Sequence, residues 1–264
     1  MNAPLQGPSQ PQRLSQGGTA TRIRHRNGAL AALSSTAFSI LEPHLRFRDF
    51  EEGSLLWDAG EQASRVYFPL SGVISIVVPV KDGSGIEVAS VGYEGGAGVD
   101  CELGQHQSVN QGITQVAGTF SYMSASQFAS AARQDDEIGH VVAVCCNWLL
   151  AQSQQMAACN AVHPADARFC RWLLLCAERL ESDVVPSTQE AIARALGIRR
   201  TTVTLIAQGL QVAGLISYRR GKIAIRDRDG LRSAACDCCA ALGRRNWPSE
   251  QLVCEPLVCG GGAA

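Results

Sequence analysis

The spacing of apolar positions changes along this chain, and each change marks a different kind of element. From Leu45 to about Phe128, short β-branched or aromatic runs alternate with turns. Leu55–Trp57, Val66–Phe68, Val73–Val78, Ile86–Val91 and Thr119–Met123 read as strands, with turns at Glu52-Gly53, Ala59-Gly60, Ser71-Gly72, Asp82-Gly83 and Gly95-Gly96. Strands at this spacing with no helices between them predict an antiparallel sandwich or barrel, of which a small β-roll is the economical form. From Gln134 to Leu180 the period lengthens to that of a helix. Pro164 lacks a helical N–H and disfavours helix at His163, so this stretch splits into a long helix near Asp136 to Asn160 and a shorter one from Asp166. Val141, Val144, Cys145, Trp148, Leu149, Gln152, Gln155, Met156 and Cys159 recur at spacings of three and four. Such a stripe can pack on its own β-roll or against a twin helix.

The segment Ser187 to Ile216 reads as two helices joined by a glycine turn. Ser187 stands three residues before Glu190, a capping-box spacing, and Ile192, Ala193 and Leu196 supply an inward face up to Gly197. A second helix starts at Ile198 to Arg200. Its Val203, Ile206, Ala207 and Leu210 share one arc, and Arg200, Thr201, Thr204 and Gln208 share the opposite side. Arginine can pair bidentately with guanine and glutamine with adenine, while threonine can reach bases, phosphates or a thymine methyl. Leu215 to Ile225 then gives two short apolar runs around the basic turn Arg219-Arg220-Gly221-Lys222, a hairpin whose tip suits phosphate, with Tyr218 as a further phenolic donor.

Charge sharpens this reading. The whole chain has a formal net charge of −1, yet residues 187–232 carry nine Lys/Arg against three acids, +6, leaving −7 for the rest. A basic module on a mildly acidic body is an electrostatic footprint for double-stranded DNA. With 264 residues, 46% of them hydrophobic, about two domains are expected. The expected division is a disordered arm at 1–27, a β-roll at 28–133, a long dimerisation helix at 134–163, a winged helix-turn-helix at 164–235 and a cysteine-rich flexible tail at 236–264. The arm has no apolar signal-peptide core, and no stretch is apolar enough to cross a membrane.

Eleven cysteines, an odd number without a secretory signal, point to free thiols in a reducing cytoplasm. Cys145, Cys146, Cys159, Cys170 and Cys176 fall in apolar helical contexts where a thiol packs as a small hydrophobe. The tail has Cys236, Cys238 and Cys239, then Cys254 and Cys259. The spacing is not that of paired zinc knuckles and no histidine is near in sequence, so no metal site is assigned. Cys236, Cys238 and Cys239 stay as candidates for a metal- or thiol-based redox sensor. The histidines do not cluster and no Ser-His-Asp or paired-carboxylate constellation stands out, so an enzyme is not expected.

Particular residues resemble the Crp/Fnr family of bacterial transcription regulators, over roughly residues 40 to 235. Phe50 to Glu61 looks like that family's opening hairpin, and Val66-Tyr67-Phe68-Pro69-Leu70-Ser71-Gly72-Val73 like its aromatic-then-glycine strand. Thr188-Gln189-Glu190 to Gly197, and Arg200-Thr201-Thr202-Val203-Thr204 to Gly214-Leu215-Ile216, resemble its DNA-binding signature. The resemblance implies an α+β chain in which an antiparallel, cyclic-nucleotide-binding-like β-roll precedes a long dimerisation helix and a winged helix-turn-helix. It also implies a homodimer on a near-palindromic operator, with RNA polymerase as a further partner. The DNA-binding set is then Thr188, Arg199, Arg200, Thr201, Thr202, Thr204, Gln208, Arg219, Arg220 and Lys222.

Two departures follow. Members with an Arg-Glu-Thr…Arg reading helix offer an acid and a second arginine where this chain has Thr201 and Leu205, so its operator is expected to differ. Cyclic-nucleotide binding in the family uses a Gly-Glu pair and an arginine. Here the corresponding loop is Gly92 to Asp100, and no arginine occurs between Arg65 and Arg133. A phosphate buried without a paired cation is strongly disfavoured, so cyclic AMP is not expected as the effector.

Overall fold

The structure, a computed structural model, describes residues 26–80, 85–100 and 107–238 together with the backbone of Gln12–Arg13. That dipeptide, β1, pairs with Arg46 and Phe47. Two short capped helices follow. Asn27 accepts from the Leu30 N–H to open α1 (Gly28–Ala31), and Ser34 accepts from the Ala37 N–H to open α2 (Ser35–Leu41). A 3-10 turn at Glu42–His44 leads into the β-roll.

The roll is built from β2 (Arg46–Phe50), β3 (Leu55–Trp57), β4 (Arg65–Pro69), β5 (Val73–Pro79), β6 (Gly85–Val91), β7 (Gln111–Val116) and β8 (Gly118–Ser124). One sheet has the order β1-β2-β8-β4 and the other β3-β7-β5-β6, with antiparallel pairs throughout. The period-2 rule is visible in β4, where Val66 and Phe68 enter one core and Tyr67 the other. At Gly112 a Cβ would sit 2.2 Å from the Trp57 ring, so only glycine lets that indole lie across β7.

All five strands read from apolar runs are present. Strands β2 and β7 escape that reading because Arg46-Phe47-Arg48-Asp49-Phe50 is mostly charged and Gln111-Gly112-Ile113-Thr114-Gln115-Val116 is mostly polar, although Thr114 and Gln115 are buried. The strands are preceded by the helices at 28–44 and followed by α3 (Ala125–Gln134), whose buried face is chiefly alanine.

Asp135 accepts from the N–H groups of Glu137 and Ile138 and starts α4 (Asp136–Val162). The helix stops at His163, and Pro164 precedes α5 (Ala165–Arg179). Val141, Cys145, Gln152, Met156 and Cys159 of the stripe are buried within their own chain, where α4 packs along β6.

The remainder comprises β9 (Val184–Pro186), α6 (Gln189–Leu196), α7 (Arg200–Val212), β10 (Ile216–Arg219), β11 (Lys222–Ile225) and α8 (Arg228–Ala234). Its core joins Phe169, Trp172 and Leu173 of α5 to Val185, Ile192, Leu196, Val203, Leu210, Ile223 and Leu231. Each large apolar side chain buried there contributes about 1.5–3 kcal/mol, so the module has a core separate from that of the roll. Among the described residues, no helix is long and apolar enough to cross a membrane.

Candidate nucleic-acid interface

The helix-turn-helix is set by its caps. Thr188, not Ser187, is the N-cap of α6, and its hydroxyl accepts from the Ala191 N–H at 3.1 Å. Ser187 is fully buried and its N–H bonds to the Gly221 carbonyl at 2.8 Å, which commits it to the wing and shifts the helix start by one residue. The Ser187–Glu190 capping box therefore does not form. Gly197 ends α6 at φ 62°, in the left-handed region, and the Ile198 N–H closes on the Ala193 carbonyl at 3.0 Å.

Helix α7 is anchored by Val203, Ala207 and Leu210, with Ile206 half-buried against the same core. Arg199, Arg200, Thr201 and Gln208 are exposed, and Thr202 and Thr204 are half-buried. Arg200 donates from Nε to Gln189 Oε1 at 3.3 Å, a bond that does not use its two terminal nitrogens. The Thr204 hydroxyl donates to the Arg200 carbonyl at 3.2 Å. Leu205 is 69% exposed on this edge, an apolar surface that helical periodicity alone does not reveal.

The wing is a two-residue hairpin. Arg219 pairs with Lys222, while Arg220 at φ 50° and Gly221 at φ 73° make the turn. Positive φ at both central residues is the geometry of a type I′ turn, whose twist matches the strands. Arg219, Arg220 and Lys222 are exposed. The Tyr218 hydroxyl donates to the Ser187 carbonyl at 3.2 Å and braces the wing on the segment that leads into α6. Thr188 faces the roll, where its N–H and hydroxyl both donate to Glu52 Oε1 at 3.3 Å.

Behind this face lies a polar seam that no sequence pattern announces. Arg179 pairs with Glu94 at 2.7 Å and also reaches the Ser90 hydroxyl at 2.6 Å and the Ser90 carbonyl at 3.0 Å, joining α5 to the loop after β6. Beside it, buried Glu87 accepts from the Ser75 hydroxyl and, at 2.6 Å, from Gln115 Nε2. Burial pushes its carboxyl up to about 7 against the pull of those donors and of Arg179 and Arg171. Inside the roll, Phe50 stacks on Phe120 at 5.0 Å, and Arg48 and Arg65 bring guanidinium carbons 4.3 Å and 5.5 Å from the Phe50 and Tyr122 ring centres. Sequence patterning misses Arg48 because the charged residues of β2 mask its alternation.

The cysteines divide. Burial raises Cys145 to about 12 and Cys170 to about 11 and pushes Cys176 up as well, the behaviour of core thiols. Cys236 and Cys238 are buried beside Cys159 and His163, so a histidine absent from the local sequence is near in space. Cys239 lies outside the described residues.

Residues 167–234 match the family model of the Crp-like helix-turn-helix domain. Solved structures with similar folds include a transcriptional regulator of the crp/fnr family from Eubacterium rectale, with TM-score 0.64 and 16% identity over 80% of this chain and 98% of that one. The c-di-GMP responsive global regulator CLP of Xanthomonas campestris gives TM-score 0.62 and 16% identity over 74% of this chain and 100% of that one. A CRP-family transcriptional regulator from Thermus thermophilus gives TM-score 0.61 and 21% identity over 71% of this chain and 96% of that one. A comparison with curated proteins returns no match. Residues 167–234 are thus a Crp-like helix-turn-helix domain, carried on a chain with the β-roll and winged-helix fold of the Crp/Fnr transcription regulators.

Proposed function

We propose that this protein is a cytoplasmic, homodimeric transcription regulator that reads a near-palindromic operator through α7. The observation that carries the reading is the division of α7: Val203, Ala207 and Leu210 fix the helix in the core, while Arg199, Arg200, Thr201, Leu205 and Gln208 are exposed along one edge. That edge has bidentate donors for bases, hydroxyls and an apolar contact for thymine, and the Arg219-Arg220-Gly221-Lys222 tip supplies phosphate contacts beside it.

A second face of α4 supports the dimer. His140, Ala143, Asn147, Leu150, Gln154, Ala157 and Ala161 are all exposed and follow alternate spacings of three and four. This is the repeat of a two-helix seam with small residues that permit close approach, on the side away from the stripe used for the chain's own packing.

The effector in this reading is not a cyclic nucleotide. Glu94, the acid of the loop that resembles the family's ribose-binding pair, is engaged by Arg179, and the roll interior is packed with Phe50, Trp57, Tyr67 and Phe120. Genome-wide capture of DNA bound to the native protein tests the proposal. An enriched inverted repeat supports it, and captured DNA with no shared repeat refutes operator binding.

A further inference from the structure

Four side chains distant in sequence meet where α4 gives way to α5. Cys159 and His163 stand one turn apart at the end of α4, and Cys236 and Cys238 follow α8. One ligand atom from each lies within 4.8 Å of all the others. Cys159 Sγ is 3.6 Å from Cys236 Sγ, and Cys238 Sγ is 3.5 Å from His163 Nδ1.

The Cys159–Cys236 and Cys238–His163 spacings match edges of a metal-centred tetrahedron. Zinc binds thiolate at about 2.3 Å and imidazole at about 2.0–2.1 Å, which places two sulfurs about 3.8 Å apart and a sulfur and a nitrogen about 3.6 Å apart. An iron-sulfur cube spreads its cysteine sulfurs well beyond the 4.8 Å found here. A disulfide between Cys159 and Cys236 needs about 2.05 Å and gives no role to Cys238 or His163.

The surroundings suit the same ion. His163 Nε2, the ring nitrogen away from the cluster, lies 3.4 Å from the Asp237 carboxylate, the outer partner that a metal-bound imidazole takes. Gln155 Nε2 donates to Cys238 Sγ at 3.0 Å, a bond that a metal-bound sulfur can keep. Three thiolates around a dication leave one negative charge. Buried Arg171, whose charge acts on both Cys159 and Cys236, is placed to balance it.

We propose that Cys159, His163, Cys236 and Cys238 bind a single structural zinc ion. Three S–Zn bonds and one N–Zn bond form, three thiol protons pass to solvent, and no electron moves. The ion clamps the last turn of α4 to the segment after α8, where the Cys236 N–H already bonds to the Ala167 carbonyl at 3.3 Å. It thereby braces the His163–Pro164 joint from which α5 and the helix-turn-helix extend. The zinc site stands apart from the operator reading, since it requires no DNA.

The test is metal analysis of the full-length, untagged protein isolated under reducing conditions. About one zinc per chain is expected, and Cys238→Ser and His163→Gln should lose it, while Cys170→Ser and Cys239→Ser retain it. Asp237→Asn should bind zinc about 10-fold more weakly in competition with a chromophoric chelator. If the ligand variants fail to fold, cobalt(II) titration of the stripped wild-type protein decides, through the strong d–d bands and thiolate charge transfer of a tetrahedral site. Folded, reduced protein that holds neither zinc nor cobalt overturns the proposal. So does iron in place of zinc, loss of metal in Cys239→Ser, or a Cys159–Cys236 disulfide in freshly isolated protein.

Discussion

Glu52 of the β-roll grips Thr188 at the start of the helix-turn-helix: a single carboxylate oxygen accepts from both its N–H and its hydroxyl, each at 3.3 Å. A helix N-terminus favours anions, and by family resemblance Thr188 is placed to meet phosphate. The carboxylate therefore competes with DNA for the same donors. Glu52→Ala should strengthen DNA binding up to about fivefold, since an exposed contact of this kind is worth about 0–1 kcal/mol. Fluorescence anisotropy at low salt checks this, and unchanged or weaker binding counts against competition.

Glu87 makes stability depend on pH. Its carboxyl titrates at about 7 in the folded chain against 4.5 as the ordinary value, with burial the chief cause. Below 4.5 the group is neutral in both states. As pH rises from there to about 7, the unfolded chain releases a proton that the folded chain keeps, so stability falls across this window and levels off above it. The total loss is about 3 kcal/mol, at about 1.4 kcal/mol for each pH unit that separates the two titrations. Glu87→Gln should flatten the slope and raise Tm at pH 8, as followed by circular dichroism melts. An unaltered slope would assign the pH dependence elsewhere.

The wing should show itself through salt. Each phosphate neutralised contributes about 0.9 to the slope of log K against log salt. Arg219→Ala with Lys222→Ala should lower the slope by about 2 per protomer, while leaving base preference intact. Titrations at several salt concentrations measure both, and a changed preference with an unchanged slope would place the wing on bases.

How much of this is legible in the sequence depends on how local each cause is. Pro164 ends one helix and Gly197 another through the backbone, so these boundaries can be read directly. The start of α6 cannot, because Ser187 is held by Gly221 from the far side of the wing. Arg46 to Phe50 escapes notice because its two aromatics, Phe47 and Phe50, stand three residues apart among charged residues, off the period of a strand. The union of Cys159 with Cys236, 77 residues away, follows from how α4, α5 and α8 pack, which no local pattern encodes. The pairing of Arg179 with Glu94 is hidden for the same reason.

Leu205 predicts a thymine. At 69% exposure it adds little to the core, and an apolar side chain on a reading edge suits the thymine methyl. Leu205→Ala should weaken the preference for thymine at one position of each half-site by about 1 kcal/mol and leave Tm nearly unchanged. Selection from a random library with each protein shows the difference; the same selected motif for both would remove Leu205 from readout.

Arg200 decides whether α7 reads bases. Its guanidinium is exposed on α7 and steadied through Nε by Gln189. Equilibrium binding of wild type and Arg200→Ala should be measured against the selected operator and its single-base variants. If α7 reads bases, the substitution costs about 1–3 kcal/mol on the operator and abolishes discrimination at one position of each half-site. An equal loss on every sequence, with discrimination intact at all positions, would contradict base readout and leave Arg200 as a phosphate contact.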